Sequence, residues 1–95
     1  MNQDLGTKGQ QAPSKESVDR IRSRADFAEF VGALITDLRD KPEEWENEDL
    51  ASFLAAVKAW VEDMDGYFKN TGEPTPEQPS WKTLAQILLA AKVYE

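Results

Sequence analysis

The chain has 95 residues, contains neither cysteine nor histidine, and carries a formal net charge of −7 at pH 7. This length allows one small domain, and the missing residue types exclude disulfides, thiolate metal sites and the usual histidine-based catalytic pairs. Carboxylates or lysine could still support chemistry, but we expect no enzyme, no cofactor and no metal site.

The charge is unevenly distributed along the chain. Residues 1–24 contain five basic and three acidic residues, whereas residues 25–95 contain six basic and fifteen acidic residues. The strong negative charge of residues 25–95 should repel nucleic acid and anionic membranes. It should attract a basic protein surface. Because the sequence has no secretory h-region and no stretch approaching about 18 apolar residues, we expect a cytoplasmic protein.

The N-terminal segment, residues 1–13, is rich in Gln, Gly and Lys and predicts a disordered tail. A single helical domain is expected over residues 14–95. It should begin with a short amphipathic turn, in which Val18 and Ile21 lie three residues apart and lean on the domain.

The first main helix is predicted from about Arg24 to Asp40. Ser23 is a suitable N-cap, and Pro42 stops the helix because the residue before a proline avoids the α region. One buried stripe is predicted by the spacing of Phe27, Phe30, Val31, Leu34, Ile35 and Leu38.

The second helix is predicted from an Asn47 N-cap to about Asn70, with Gly72 as the stop and a break at Gly66 as the alternative. Its apolar arc spans roughly 140°, wider than a surface helix needs, so it should contact both other main helices. The arc contains Leu50, Phe53, Leu54, Val57, Trp60, Val61, Met64, Tyr67 and Phe68.

The third helix, capped by Ser80, is almost entirely apolar and is either well buried or partly covered by another chain. No period-two strand pattern is present. We therefore predict an all-α fold: a small three-helix domain with a long central second helix, the other two helices packed antiparallel against it, and a short N-terminal helical turn.

Acidic residues follow one side of the first helix. Asp26, Glu29, Asp37 and Asp40 share an arc off the apolar stripe, and Glu44 follows in the acidic connector. The row is either a solvated helix face or a docking strip for a basic partner. On either interpretation these side chains, Asp37 included, are expected to be exposed.

Three aromatic residues are the other candidates for partner binding. Trp45 stands inside the acidic connector. It either folds back over the start of the second helix and covers Leu50 and Leu54, or acts as an aromatic anchor at an interface. Trp60 and Tyr67 lie seven residues apart at the edge of the apolar arc. They belong either to the core or to a partly exposed ridge for self-association or a partner.

Four motifs, PEEWEN, FLAAVKAW, DMDGYFKN and PSW, lie between about Ser23 and Glu95. With the apolar closing helix, this segment resembles a family of short bacterial proteins known only as a domain of unknown function. The resemblance implies a helical fold and a bacterial origin, without an established activity or ligand. Small acidic helical proteins of this kind are similar in character to immunity proteins, which neutralise toxins by binding them.

The function expected from these observations is protein binding: an immunity-like module that neutralises or docks on a basic bacterial protein. Two alternatives remain open, together with the oligomeric state. A structural subunit of a homo-oligomer would expose a face of the third helix, and a carboxylate-based metal protein or enzyme would need acidic side chains converging in a pocket. For the core, Leu34→Ala and Leu54→Ala are each expected to cost about 2–5 kcal/mol.

Overall fold

The computed structural model describes residues 12–94. This part of the chain contains four helices and one 3₁₀ turn, joined by loops, and no strand. The predicted all-α fold is confirmed. Most of the predicted disordered tail, residues 1–11, lies outside the described residues. The elements are α1 (Lys15–Asp19), α2 (Arg24–Asp40), the 3₁₀ turn (Pro42–Glu44), α3 (Leu50–Thr71) and α4 (Trp81–Ala91).

Short polar side chains define the helix starts. Ser23 and Ser80 accept hydrogen bonds from backbone N–H groups of the first turns of α2 and α4, as predicted. The predicted Asn47 cap of α3 is wrong. Asp49 occupies that position, where its Oδ1 accepts from the Ser52 N–H at 2.8 Å, and Asn47 has a different role, described below.

Helix α3 continues through Gly66 and ends at Thr71, so the continuous helix is confirmed and the alternative break is wrong. Gly72 follows in the left-handed conformation with φ of 79°. There the Glu73 N–H reaches the Phe68 carbonyl at 3.0 Å and satisfies one of the last helix carbonyls.

The two glycines should therefore respond oppositely to alanine. A Cβ at Gly66 meets no atom within 4 Å, so Gly66→Ala should stabilise the domain by about 0.5–1 kcal/mol through lower backbone entropy in the unfolded chain. Gly72→Ala should destabilise it by about 1 kcal/mol, since an L-residue is strained at positive φ. Urea denaturation of both variants checks this pair, and effects of the same sign would contradict it.

The helix that contacts all the others is α4, and the expected central position of the second main helix is wrong. Within residues 12–94, α1, α2 and α3 all pack on α4, whereas α2 and α3 touch each other little. The physical reason lies in composition. A helix that is apolar nearly all round is best placed where several neighbours cover it. Thr83, Ala85, Ile87 and Ala91 of α4 are buried, whereas Trp81 at its start is 40% exposed.

Two hydrophobic clusters lie on different sides of α4. The first joins α1, α2 and the connector to α4, and it contains Val18, Ile21, Phe30, Leu34, Trp45 and Ala85. The second joins α3 to α4 and contains Trp60, Met64, Phe68 and Ile87. Burial of Val18 and Ile21 confirms that the N-terminal turn leans on the domain. None of the helices described in residues 12–94 is long and apolar enough to span a membrane.

Candidate functional site

An ion pair between buried Asp37 and half-buried Lys92, together with Trp45, links α2, the connector and the end of α4. The Asp37 Oδ2 accepts a hydrogen bond from the Trp45 Nε1 at 2.8 Å and lies 2.9 Å from the Lys92 Nζ. The Lys92 ammonium also lies 5.6 Å from the centroid of the Trp45 ring, within range of a cation–π interaction. We call Asp37, Trp45 and Lys92 the buried triad.

Electrostatics keep the Asp37 carboxyl ionised. Burial raises its pKa, but hydrogen bonds from Lys92 and Trp45 and the positive charges of Lys92 and Lys41 lower the pKa by more. The pKa of Asp37 therefore lies below its ordinary value of 3.8. At neutral pH Asp37 and Lys92 therefore form an ion pair. This ion pair lies beside Trp45 of the first hydrophobic cluster.

Next to the triad, Asn47 attaches the connector to the end of α4. Its Nδ2 donates to the carbonyls of Ala91 at 3.0 Å and Tyr94 at 2.7 Å, and its backbone N–H donates to the Lys92 carbonyl. The last carbonyls of a helix have no N–H partner within the helix, and Asn47 supplies N–H donors to the carbonyls at the end of α4. Trp45 and Asn47 therefore hold the connector in place.

The expected exposure of Asp37 is wrong, and the acidic row of α2 is consequently not one continuous strip. Asp37 is buried because Lys92 and Trp45 compensate its charge. Asp26 is half-buried, and its Oδ2 accepts from the Arg22 backbone N–H at 2.9 Å, so its carboxylate supports the start of α2. The remaining candidates, Glu29, Asp40 and Glu44, are exposed.

The three aromatic candidates all contribute to packing. Trp45 is buried in the first cluster and packs against the start of α3, as expected, with its ring 6.0 Å from that of Phe53. It does not cover Leu50 and Leu54, which are 72% and 55% exposed. Trp60 is buried in the second cluster, and half-buried Tyr67 packs on it with ring centroids 5.3 Å apart. Trp45 and Trp60 therefore belong to the core and neither is an exposed anchor, whereas Tyr67 is half-buried beside Trp60.

The surface that the sequence analysis missed is a row of apolar residues on α3, hereafter the α3 row. It consists of Leu50, Leu54, Val57 and Val61. Leu50, Leu54 and Val61 are 72%, 55% and 42% exposed, and Val57 is half-buried at the edge of the second cluster. Large apolar side chains exposed side by side are typical of binding surfaces.

Helix pairing explains why the α3 row is exposed. The buried residues of α3 recur every fourth position, at Ala56, Trp60, Met64 and Phe68, which is the ridge that packs on α4. The apolar arc of α3 is wider than one neighbouring helix can cover, and α2 does not pack along its other side. The width of the arc was therefore the signal for this surface.

A second feature is an open, mostly apolar groove of ≈ 590 Å³ lined by Ile21, Arg22, Leu84 and residues 79–82. Its Lys82 Nζ already lies 3.4 Å from the Asp19 Oδ1, and its Trp81 ring packs on Phe27. No carboxylate lines the groove, and Lys82, whose amine could act as a base, is paired with Asp19.

Over residues 12–94, no three acidic side chains come together as a metal site, and every buried side-chain nitrogen or oxygen has a hydrogen-bond partner. The buried polar groups therefore serve the fold. Packing leaves Ile35, Trp81 and Val93 exposed besides the α3 row, and the α3 row is the set among them that follows one helix.

Comparison with known proteins gives one positive result. Neither the curated proteins nor the solved structures contain a match to this chain. Residues 23–95, which include α2, α3, α4 and the buried triad, match a family of unknown function, DUF7660. This match covers most of the sequence, and the chain therefore belongs to the DUF7660 family.

Proposed function

We propose that this chain is a non-enzymatic, cytoplasmic, immunity-like protein-binding module of bacterial origin that neutralises or docks on a basic protein. It binds neither nucleic acid nor membrane. The observation that carries the proposal is the α3 row, with Leu50 and Leu54 more than half exposed on a domain of net charge −7. Apolar contact area supplies affinity at such a surface, and opposite charge on the partner speeds association.

Exposed acidic groups elsewhere on the domain are consistent with this function. Glu29, Asp40 and Glu44 remain accessible on α2 and the 3₁₀ turn, where they contribute to long-range attraction of a cationic protein. Trp60 and Tyr67 pack in the second cluster, against which Val57 of the α3 row also packs, and Trp45 packs on Phe53 of α3. The homo-oligomer alternative would need an exposed face on α4, where Thr83, Ala85, Ile87 and Ala91 are buried and Trp81 is 40% exposed.

Site-specific crosslinking in the source cell tests the function. A photo-crosslinking amino acid at the position of Leu54 should give an adduct with a different, basic protein, identified by mass spectrometry. The matched control is the same amino acid at Ile35, which is 49% exposed on α2 and should give no such adduct.

Two results would contradict the proposal. Adducts at position 54 that join only two copies of this chain would favour the homo-oligomer. Equal capture from both positions would show that the α3 row has no special role in binding.

A further inference from the structure

The shape of the α3 row limits what can bind there. Leu50 to Val61 follow the helical spacing i, i+4, i+7, i+11 and extend about 17 Å along α3 at 1.5 Å per residue. The backbone of α3 is hydrogen-bonded within the helix, so an extended peptide would find no backbone partners on this surface. A second helix satisfies its own backbone and can match three turns of apolar side chains.

The charges at the two ends of the α3 row limit the composition of a helix that could bind there. Exposed Glu48 and Asp49 adjoin Leu50, and exposed Glu62 and Asp65 adjoin Val61. The cation within the row's length, Lys58, pairs with Glu62 at 2.8 Å. Four carboxylates against one ammonium favour lysine or arginine on the flanks of the bound helix.

The same charges disfavour a second copy of this chain as the occupant. In a parallel two-fold pair, the acidic residues at each end of the row meet their own counterparts. An antiparallel pair centred on the row brings Glu62 of each copy opposite Asp49 of the other. Carboxylates therefore face carboxylates in both arrangements, and like-charge contacts are costly at interfaces.

We infer that the α3 row binds an amphipathic helix with apolar residues in the same spacing and basic residues on both flanks. This inference rests on the proposed protein-binding function and specifies the chemistry of the partner. Helix-on-helix packing buries Leu50 and Leu54, while the basic flanks contact the acidic ends of the row.

Synthetic peptides test the inference with the full chain. The probe is a helical peptide with leucines at i, i+4, i+7 and i+11 and lysines on both flanks, and its binding is measured by fluorescence anisotropy. The matched peptides carry glutamate in place of lysine, or the same residues in scrambled order. We expect the lysine peptide to bind at least about tenfold more tightly than either, because only it matches both apolar spacing and charge.

Variants of the chain separate apolar docking from general attraction between opposite charges. Leu50→Ser with Leu54→Ser should weaken binding of the lysine peptide about tenfold, whereas Ile35→Ser should match the wild type. Asp65→Lys should weaken the lysine peptide and strengthen the glutamate peptide, each by about two- to fivefold. Circular dichroism should show unchanged helix content, since all four residues are exposed.

Three results would overturn the inference. The first is binding of the lysine peptide that is insensitive to the two serine substitutions, and the second is equal binding of the scrambled peptide. The third is a dimer of the chain that dissociates on Leu54→Ser, which would make a second copy the occupant. If crosslinking at position 54 captures a basic protein that contacts the row without such a helix, the inference fails while the proposed function stands.

Discussion

Lys92→Met should lower the free energy of unfolding at pH 7 by about 3 kcal/mol, because it leaves the buried Asp37 carboxylate without its cation. Methionine retains most of the aliphatic stem over the Trp45 ring, so packing changes little. Urea denaturation followed by tryptophan fluorescence measures the loss. Lys58→Met is the matched control, since Lys58 forms an exposed ion pair and its removal should leave the midpoint almost unchanged.

The pH dependence identifies the cause of that loss. In the wild type the pKa of Asp37 is lowered by folding, so its contribution is complete above the ordinary value of 3.8 and is lost as the pH falls through the folded-state pKa. Without Lys92, burial should raise that pKa, and protonation then relieves the unpaired charge. The gap between wild type and Lys92→Met should therefore narrow on acidification towards pH 4.

A double variant completes this test. Asp37→Asn combined with Lys92→Met removes both charges and keeps an acceptor for the Trp45 Nε1, so it should recover most of the stability lost in Lys92→Met. A gap that does not change with pH, or a double variant as unstable as the single one, would show that Lys92 acts through packing alone.

Local features of the fold were predictable from the sequence. The spacing of apolar residues gave the three main helices, and Ser23, Ser80 and Gly72 marked helix ends, because caps and periodicity depend on neighbouring residues. The wide apolar arc of α3 was also visible. Its width alone does not say which part of the arc a neighbouring helix covers.

Pairing between distant residues was not predictable in the same way. Asp37 is polar and lies off the apolar stripe of α2, so it was expected in solvent, and its burial depends on Lys92 at the far end of α4. Trp45 provided a partial signal, since a buried indole N–H needs an acceptor and carboxylates were nearby. Choosing Asp37 among those carboxylates requires the three-dimensional arrangement.

Leu34→Ala should destabilise the domain by about 2–5 kcal/mol, because Leu34 is only 6% exposed in the first cluster and truncation leaves a cavity. For Leu54→Ala the expectation of an equal loss is corrected. Leu54 is 55% exposed, so the free energy of unfolding should change by no more than about 0.5 kcal/mol. Urea midpoints of the two variants measured side by side make the comparison.

The contrast between the two leucines also tests whether the α3 row is free in the isolated protein. Equal, large losses at both positions would mean that Leu54 is covered in solution. If the loss at Leu54 grew with protein concentration, the cover would be a second copy, because only an associated state gains stability by mass action. A small loss of stability on Leu54→Ala that does not depend on protein concentration would show that Leu54 is exposed in the isolated protein. Burial of its side chain against a partner can then contribute free energy to binding.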